Sequence, residues 1–145
     1  MTDFSPPGGP WGDGFPEALM AQARHARERA YAPYSRFPVG AALLMEDGTV
    51  LWGCNVENAS YGLTCCAERN AVGHMVLRGS THPRAVAVAG PPGEPCFPCG
   101  ACRQVLSEFN PTLLVVVERG ESLEMVSLED LLPRSFGPRD LEGSR

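Results

Sequence analysis

Four side chains set the chemical question: Cys66, Glu68, Cys99 and Cys102. Cys99-Gly100-Ala101-Cys102 places two thiols three residues apart at the start of an expected helix, and so on one face. Cys66 opens a second expected helix, with Glu68 two residues further on. A helix amino end carries about half a positive charge, which lowers a thiol's pKa and favours the thiolate that a metal needs. Three thiolates on a four-coordinate zinc leave one position open, the mark of a catalytic site, where water becomes an accessible hydroxide near neutral pH. Glu68 points away from the ligand direction of Cys66, so it is expected to flank the metal as a proton shuttle. Three thiolates on a divalent ion leave a net negative charge, which opposes ionising that water. Arg69, Arg103 and the two helix ends are the expected counterweights, the arginines by hydrogen bonds to sulfur.

Zinc must be weighed against other uses of cysteine. The six cysteines fall at 54, 65, 66, 96, 99 and 102, clustered around two loops, and do not look like a disulfide framework. Cys96-x-x-Cys99-x-x-Cys102 opens like an iron–sulfur run, but Leu106 and Ser107 stand where the fourth cysteine and its proline belong. A closed structural zinc on Cys66, Cys96, Cys99 and Cys102 is the better rival, and it would leave no place for water. His25, His74 and His82 fall in no ligand spacing, and Cys54 fits a small buried hydrophobe.

The elements that must position these groups follow from pattern. Four glycines and three prolines in the first fourteen residues read as a flexible arm, residues 1–14. Pro16 can open a helix carrying Leu19, Ala23, Ala26 and Ala30, which Pro33 ends. Val39 to Met45 and Thr49 to Asn55 flank Asp47-Gly48 as a hairpin. A helix over Cys66–Leu77, a strand over Arg84–Gly90, a helix over Cys99–Phe109 and a buried strand at Leu113–Val117 come next. Ser127 starts a last short helix that Pro133 stops, and residues 137–145 read as a frayed tail. Elements 15–136 thus make one domain, a mixed sheet covered by helices.

Composition narrows the function. The chain of 145 residues carries a net charge of −5, and all 12 of its basic residues are arginine. A Walker phosphate loop and lysine Schiff-base chemistry are therefore excluded. No basic stripe suits a polynucleotide, no apolar run is long enough to span a membrane, and no secretory signal is visible. A cytoplasmic protein is expected.

Singly, C-x-x-C and Cys-x-Glu say little. Together, Cys66-Ala67-Glu68 followed some thirty residues later by Pro98-Cys99-Gly100-Ala101-Cys102 matches the zinc deaminase signature, with cysteine in place of histidine. With Tyr31-Ala32-Pro33-Tyr34-Ser35-Arg36-Phe37, Val39–Leu43, Gly53–Ala59, Cys66–Arg69, Pro98–Val105 and Leu131-Leu132-Pro133, the chain closely resembles the small cytidine deaminases that act on free nucleosides through three cysteine ligands. The resemblance runs from about Pro16 to Phe136. It implies an α/β fold, a three-layer α/β/α sandwich with a mixed central sheet, and a homotetramer with shared active sites. It also implies one Zn2+ per chain on Cys66, Cys99 and Cys102, with Glu68 as the proton shuttle. The implied reaction is hydrolysis of cytidine and deoxycytidine to uridine and deoxyuridine, by zinc-bound hydroxide attack at C4 with release of ammonia, as in pyrimidine salvage. Asn55 and Glu57 would hold the ribose 3′-hydroxyl. Phe37, and Phe136 from a neighbouring subunit, would pack on the pyrimidine, and Ala59 and Tyr61 would line the site at a subunit boundary. Arg69 and Gln104 would act on the thiolates. Asn70 departs from the family pattern, where threonine is common, and Cys65 and Cys96 are extra thiols beside the metal.

Overall fold

A computed structural model of the protein describes residues 14–142. Its centre is a five-stranded sheet in the order β2-β1-β3-β4-β5. The strands are β1 (Gly40–Met45), β2 (Val50–Cys54), β3 (Pro83–Ala89), β4 (Leu114–Arg119) and β5 (Ser122–Ser127). Of the four neighbouring pairs, only β3 with β4 is parallel. The helices are α1 (Phe15–Arg27), α2 (Ala67–Leu77), α3 (Gly100–Phe109), α4 (Leu128–Leu131) and α5 (Pro138–Glu142), with one 3-10 turn at Tyr61–Leu63.

Period-two alternation assigns the buried side chains of β1 to β4 to one of two cores. Ala42, Leu44, Val50, Ala85, Ala87 and Val116 face Leu19, Met20 and Ala23 of α1. Ala41, Leu43, Leu51, Val86, Val88, Val115 and Val117 face Ala71 and Met75 of α2, Leu106 of α3 and Leu128 of α4. The result is the expected three-layer sandwich, with α1 on one side and α2, α3 and α4 on the other. Each fully buried leucine or methionine among these contributes about 1.5–3 kcal/mol of burial free energy.

Two glycines set how closely the layers approach. A Cβ on Gly40 would lie 2.8 Å from the Arg27 Cα and closer to the Ala23 carbonyl oxygen in α1. A Cβ on Gly53 would lie 3.0 Å from the Ala71 Cα and closer to the Ala67 carbonyl oxygen in α2. Each absent side chain lets a helix backbone sit directly on the sheet.

Several boundaries differ from the sequence expectations. Helix α1 ends at Arg27, well before Pro33, because residues 28–30 turn on backbone bonds to His25, Ala26 and Arg27. Strand β5 was not anticipated: none of its residues is buried, as befits an edge, and its turn rests on Gly120 at φ 60°. Residues 138–142 form a short helix where a frayed tail was expected, and Asp140 accepts a hydrogen bond from the Gly137 N–H. The expected arm, apart from Gly14 before α1, lies outside the described residues, as do residues 143–145.

Candidate active site

The site forms where β2 and β3 finish. From β2 the chain runs into Asn55-Val56-Glu57, which short pairings stitch to two neighbours. Val56 bridges Tyr31 on one side and Cys65 on the other. That second bridge delivers Cys66 as the residue immediately before α2, while the loop after β3 delivers Cys99 immediately before α3. Both thiols therefore stand at helix amino ends, and neither caps its helix through the side chain. Cys102 follows on the first turn of α3 and is buried.

The three sulfurs converge. Cys66 Sγ lies 3.8 Å from Cys99 Sγ, which lies 3.4 Å from Cys102 Sγ. All three fall within 4.8 Å of one another, the one such metal-ligating cluster among the described residues. Tetrahedral zinc with Zn–S bonds of about 2.3 Å sets sulfurs about 3.8 Å apart, so the triangle fits zinc. Proton chemistry points the same way. Burial pushes the Cys102 thiol far up, and the charges of Glu68 and Cys66 add to it. Burial also raises Cys66, against the hydrogen bond from Arg69. At Cys99 burial works against ionisation, but the N–H groups of Cys102 and Ala101 and both sulfur contacts outweigh it and hold the pKa low. Three such groups ionise together only around a cation. Zinc bound there supplies a Lewis acid that makes a water molecule acidic enough to attack at neutral pH.

Glu68 is buried, 4 % exposed, on the first turn of α2. Burial raises its carboxyl pKa above the usual value; its own backbone N–H, the Cys102 thiol and Arg69 only partly oppose this. A raised pKa makes this carboxyl a stronger proton acceptor than an exposed glutamate and still able to return the proton. It lines a cavity of about 500 Å³ with Ser35, Phe37, Val39, Asn55, Glu57, Thr64, Cys66 and Cys99.

The counterweights divide. Arg69 sends a guanidinium nitrogen to Cys66 Sγ at 3.6 Å and to the Thr64 carbonyl at 3.5 Å. Its own pKa rises, chiefly through the bond to Cys66. Arg103, in contrast, donates to the carbonyls of Pro98 and Leu131 at 2.7 and 2.9 Å. Gln104 donates to the Phe136 carbonyl at 2.9 Å. Both hold loops and not sulfurs, so of the expected thiolate contacts from these side chains the structure makes only that of Arg69. Asn70 donates to the carbonyls of Cys54 and Cys65 at 2.8 and 3.4 Å, tying the end of β2 to the start of α2. Its position in the pattern had suggested no such task.

At the far end of the cavity, Asn55 accepts from the Val39 N–H and donates to the Phe37 carbonyl, each at 2.9 Å. Glu57 accepts from the N–H groups of Tyr34 and Ser35 and from the Ser35 hydroxyl. These bonds hold its carboxylate below the usual pKa, the Ser35 hydroxyl first among them. Phe37 lines the cavity yet is 48 % exposed. Ala59, Tyr61 and Phe136 do not line it; Tyr61 and Phe136 are 77 % and 60 % exposed. The extra thiol Cys96 packs on the core against Gly90, with burial pushing its pKa up to about 11.

Residues 15–118 match the family described as the cytidine and deoxycytidylate deaminase zinc-binding region. The chain belongs to this family. A cytidine deaminase of Sporosarcina psychrophila is 48 % identical over 128 residues, covering 86 % of this chain and 93 % of the relative. One from Halalkalibacterium halodurans is 46 % identical over 127 residues, covering 86 % and 96 %. Among solved structures, a cytidine deaminase from Burkholderia pseudomallei shares 51 % identity with a TM-score of 0.78, covering 83 % of this chain and 98 % of that one. The enzyme from Mycobacterium tuberculosis shares 45 % with a TM-score of 0.74 over 83 % and 96 %. Family membership, the α/β sandwich and the three-thiol cluster agree on a zinc-dependent deaminase.

Proposed function

We infer that the chain hydrolyses cytidine and deoxycytidine to uridine and deoxyuridine, releasing ammonia. The observation that carries this is the buried Glu68 carboxyl, which lines the same cavity as Cys66 and Cys99 of the three-thiol cluster. Water adds its oxygen at C4 of the pyrimidine. Glu68 takes the proton that this water gives up and delivers it to N3. Glu68 then moves a second proton from the new C4 hydroxyl to the 4-amino group, which leaves as ammonia while the C4 carbonyl forms. A positioned acid–base group of this kind supplies about 10²- to 10⁴-fold in rate.

The family embraces both nucleoside and nucleotide substrates by its description. The cavity favours the nucleoside. Among the described residues no arginine, lysine or histidine lines it, so none of them neutralises a phosphate there. Its sugar end instead offers the second N–H of the Asn55 amide, the first being held by the Phe37 carbonyl, and an anionic acceptor on Glu57, which together suit a 3′-hydroxyl. Exposed Phe37, Tyr61 and Phe136 favour closure of the site by further copies of the chain, as a homotetramer. The cysteines within the described residues are all unpaired, which suits a reducing, cytoplasmic setting and a part in pyrimidine salvage. No helix among the described residues is long and apolar enough to cross a membrane.

The test is ammonia release from cytidine, deoxycytidine, their 5′-monophosphates and a cytosine-containing single-stranded oligonucleotide. Turnover of the two nucleosides alone is expected. Turnover of the monophosphates or of the oligonucleotide at comparable kcat/KM would overturn the nucleoside assignment.

A further inference from the structure

Ser35 occupies a place in the cavity wall that the chemistry above does not use. Its hydroxyl has one proton and must give it to Glu57, because an ionised carboxylate only accepts. Its lone pair then accepts the Phe37 N–H at 3.0 Å. One hydroxyl therefore joins the acidic group at the sugar end to the backbone of the aromatic ring beside it.

Counting acceptor sites shows what this does to Glu57. A carboxylate has about four. The Tyr34 and Ser35 N–H groups occupy Oε1 at 2.9 and 3.1 Å, and the Ser35 hydroxyl occupies one side of Oε2. One site on Oε2 remains, and Glu57 lines the cavity. The turn that carries Ser35 is also strained, since the next residue, Arg36, sits at φ 55° without being glycine. Such a conformation persists only where surrounding bonds over-determine it. Here those bonds are the Glu57 contacts, the Ser35–Phe37 link and the 3.0 Å bond from Arg36 N–H to the Ala32 carbonyl.

We propose that Ser35 is a positioning residue for substrate: it aims the free lone pair of Glu57 at the sugar 3′-hydroxyl. The inference rests on the proposed nucleoside reaction. Binding lost at the sugar is lost equally from ground and transition states, so it appears in KM and not in kcat.

The experiment compares cytidine with 2′,3′-dideoxycytidine, which lacks the hydroxyl that Glu57 would hold, in wild type, Ser35→Ala, Ser35→Thr and Glu57→Gln. Ser35→Ala should raise KM for cytidine about tenfold, the scale of a lost hydrogen bond to a charged group, with kcat within about threefold. Its kcat/KM for the dideoxy substrate should change by less than about threefold, and Ser35→Thr, which keeps the hydroxyl, should stay near wild type on both. Equal losses on the two substrates for Ser35→Ala, with Glu57→Gln still selective, would overturn the positioning role alone. Equal losses for Glu57→Gln as well would overturn the assignment of Glu57 to the sugar, and the Ser35 proposal with it.

Discussion

Gly53→Ala tests whether the contact between sheet and helix sets the metal site. The added Cβ would lie 3.0 Å from the Ala71 Cα and nearer to the Ala67 carbonyl oxygen, both backbone atoms of α2. The nearest contact, to that oxygen, lies far inside ordinary van der Waals separation, so α2 must withdraw from β2 by roughly 1 Å. Overpacking of this kind costs about 1–3 kcal/mol of stability. The larger effect is on chemistry. Cys66 directly precedes α2 and Glu68 lies on its first turn, so both move with the helix. Zinc–sulfur distances tolerate only about ±0.2 Å, and a 1 Å misplacement at a reacting centre costs about 10²-fold in rate. Gly40→Ala is the matched control, because its Cβ collides with α1 on the opposite face, where no ligand resides. The assay is melting temperature, zinc per chain by elemental analysis, and turnover at equal folded concentration. Both variants should lose similar stability, while only Gly53→Ala should lose zinc affinity and about 10²-fold in kcat/KM. Full zinc occupancy and near-normal turnover in Gly53→Ala, at a temperature where it is folded, would refute the reasoning.

Glu68→Gln should keep one zinc per chain yet lose 10⁴-fold or more in turnover, roughly 5 kcal/mol of barrier; a loss under tenfold would remove Glu68 from the mechanism. Cys99→Ser should abolish or greatly weaken zinc binding, whereas Cys65→Ser and Cys96→Ser should retain metal and most activity, as elemental analysis and turnover will report. Stripping zinc with a chelator at pH 7–8 should be accompanied by uptake of at least two protons per chain, after correction for those the chelator releases, because the raised pKa values of Cys66 and Cys102 make them thiols without metal. By the same sign, zinc affinity should rise with pH until those thiols ionise unaided. Calorimetry in buffers of different ionisation enthalpy measures the proton count, and a count near zero would contradict it.

Much of the site was legible because its demands are local. A thiol just before a helix, a glutamate on the first turn and a C-x-x-C pair are sequence-adjacent facts, and the structure keeps Cys66, Glu68, Cys99 and Cys102 in those places. The hairpin around Asp47-Gly48 and the buried run ending at Val117 were equally plain, since turn chemistry and unbroken apolar runs carry their own signals. What escaped depends on distant partners. Gln104 and Arg103 neighbour Cys102 in sequence, but carbonyls of the chain's last third reach Gln104 and one nitrogen of Arg103. Gly40 and Gly53 look like ordinary strand residues until the helices that crowd them are placed. Strand β5 hid because its apolar face is only two residues long, Leu123 and Met125, set among Ser122, Glu124 and Ser127, and neither of the two is fully buried.

The sheet also separates two tasks by distance. Gly40 pairs with Cys54 and Ala89 at the end that feeds the cavity, while Leu44 pairs with Val50 at the other end, beside the Asp47-Gly48 turn. A strand of this length spans roughly 15–20 Å, so the turn and the thiols lie at opposite poles. In the β1–β2 turn Glu46 and Asp47 are exposed, with Gly48 buried behind them, and Asp47 accepts a local hydrogen bond from the Thr49 N–H. Lengthening it adds little closure entropy, since that cost grows only logarithmically with loop length. A fluorophore attachment point or an affinity peptide grafted between the exposed Glu46 and Asp47 would therefore ride on the enzyme as cargo, leaving the opposite pole to its chemistry.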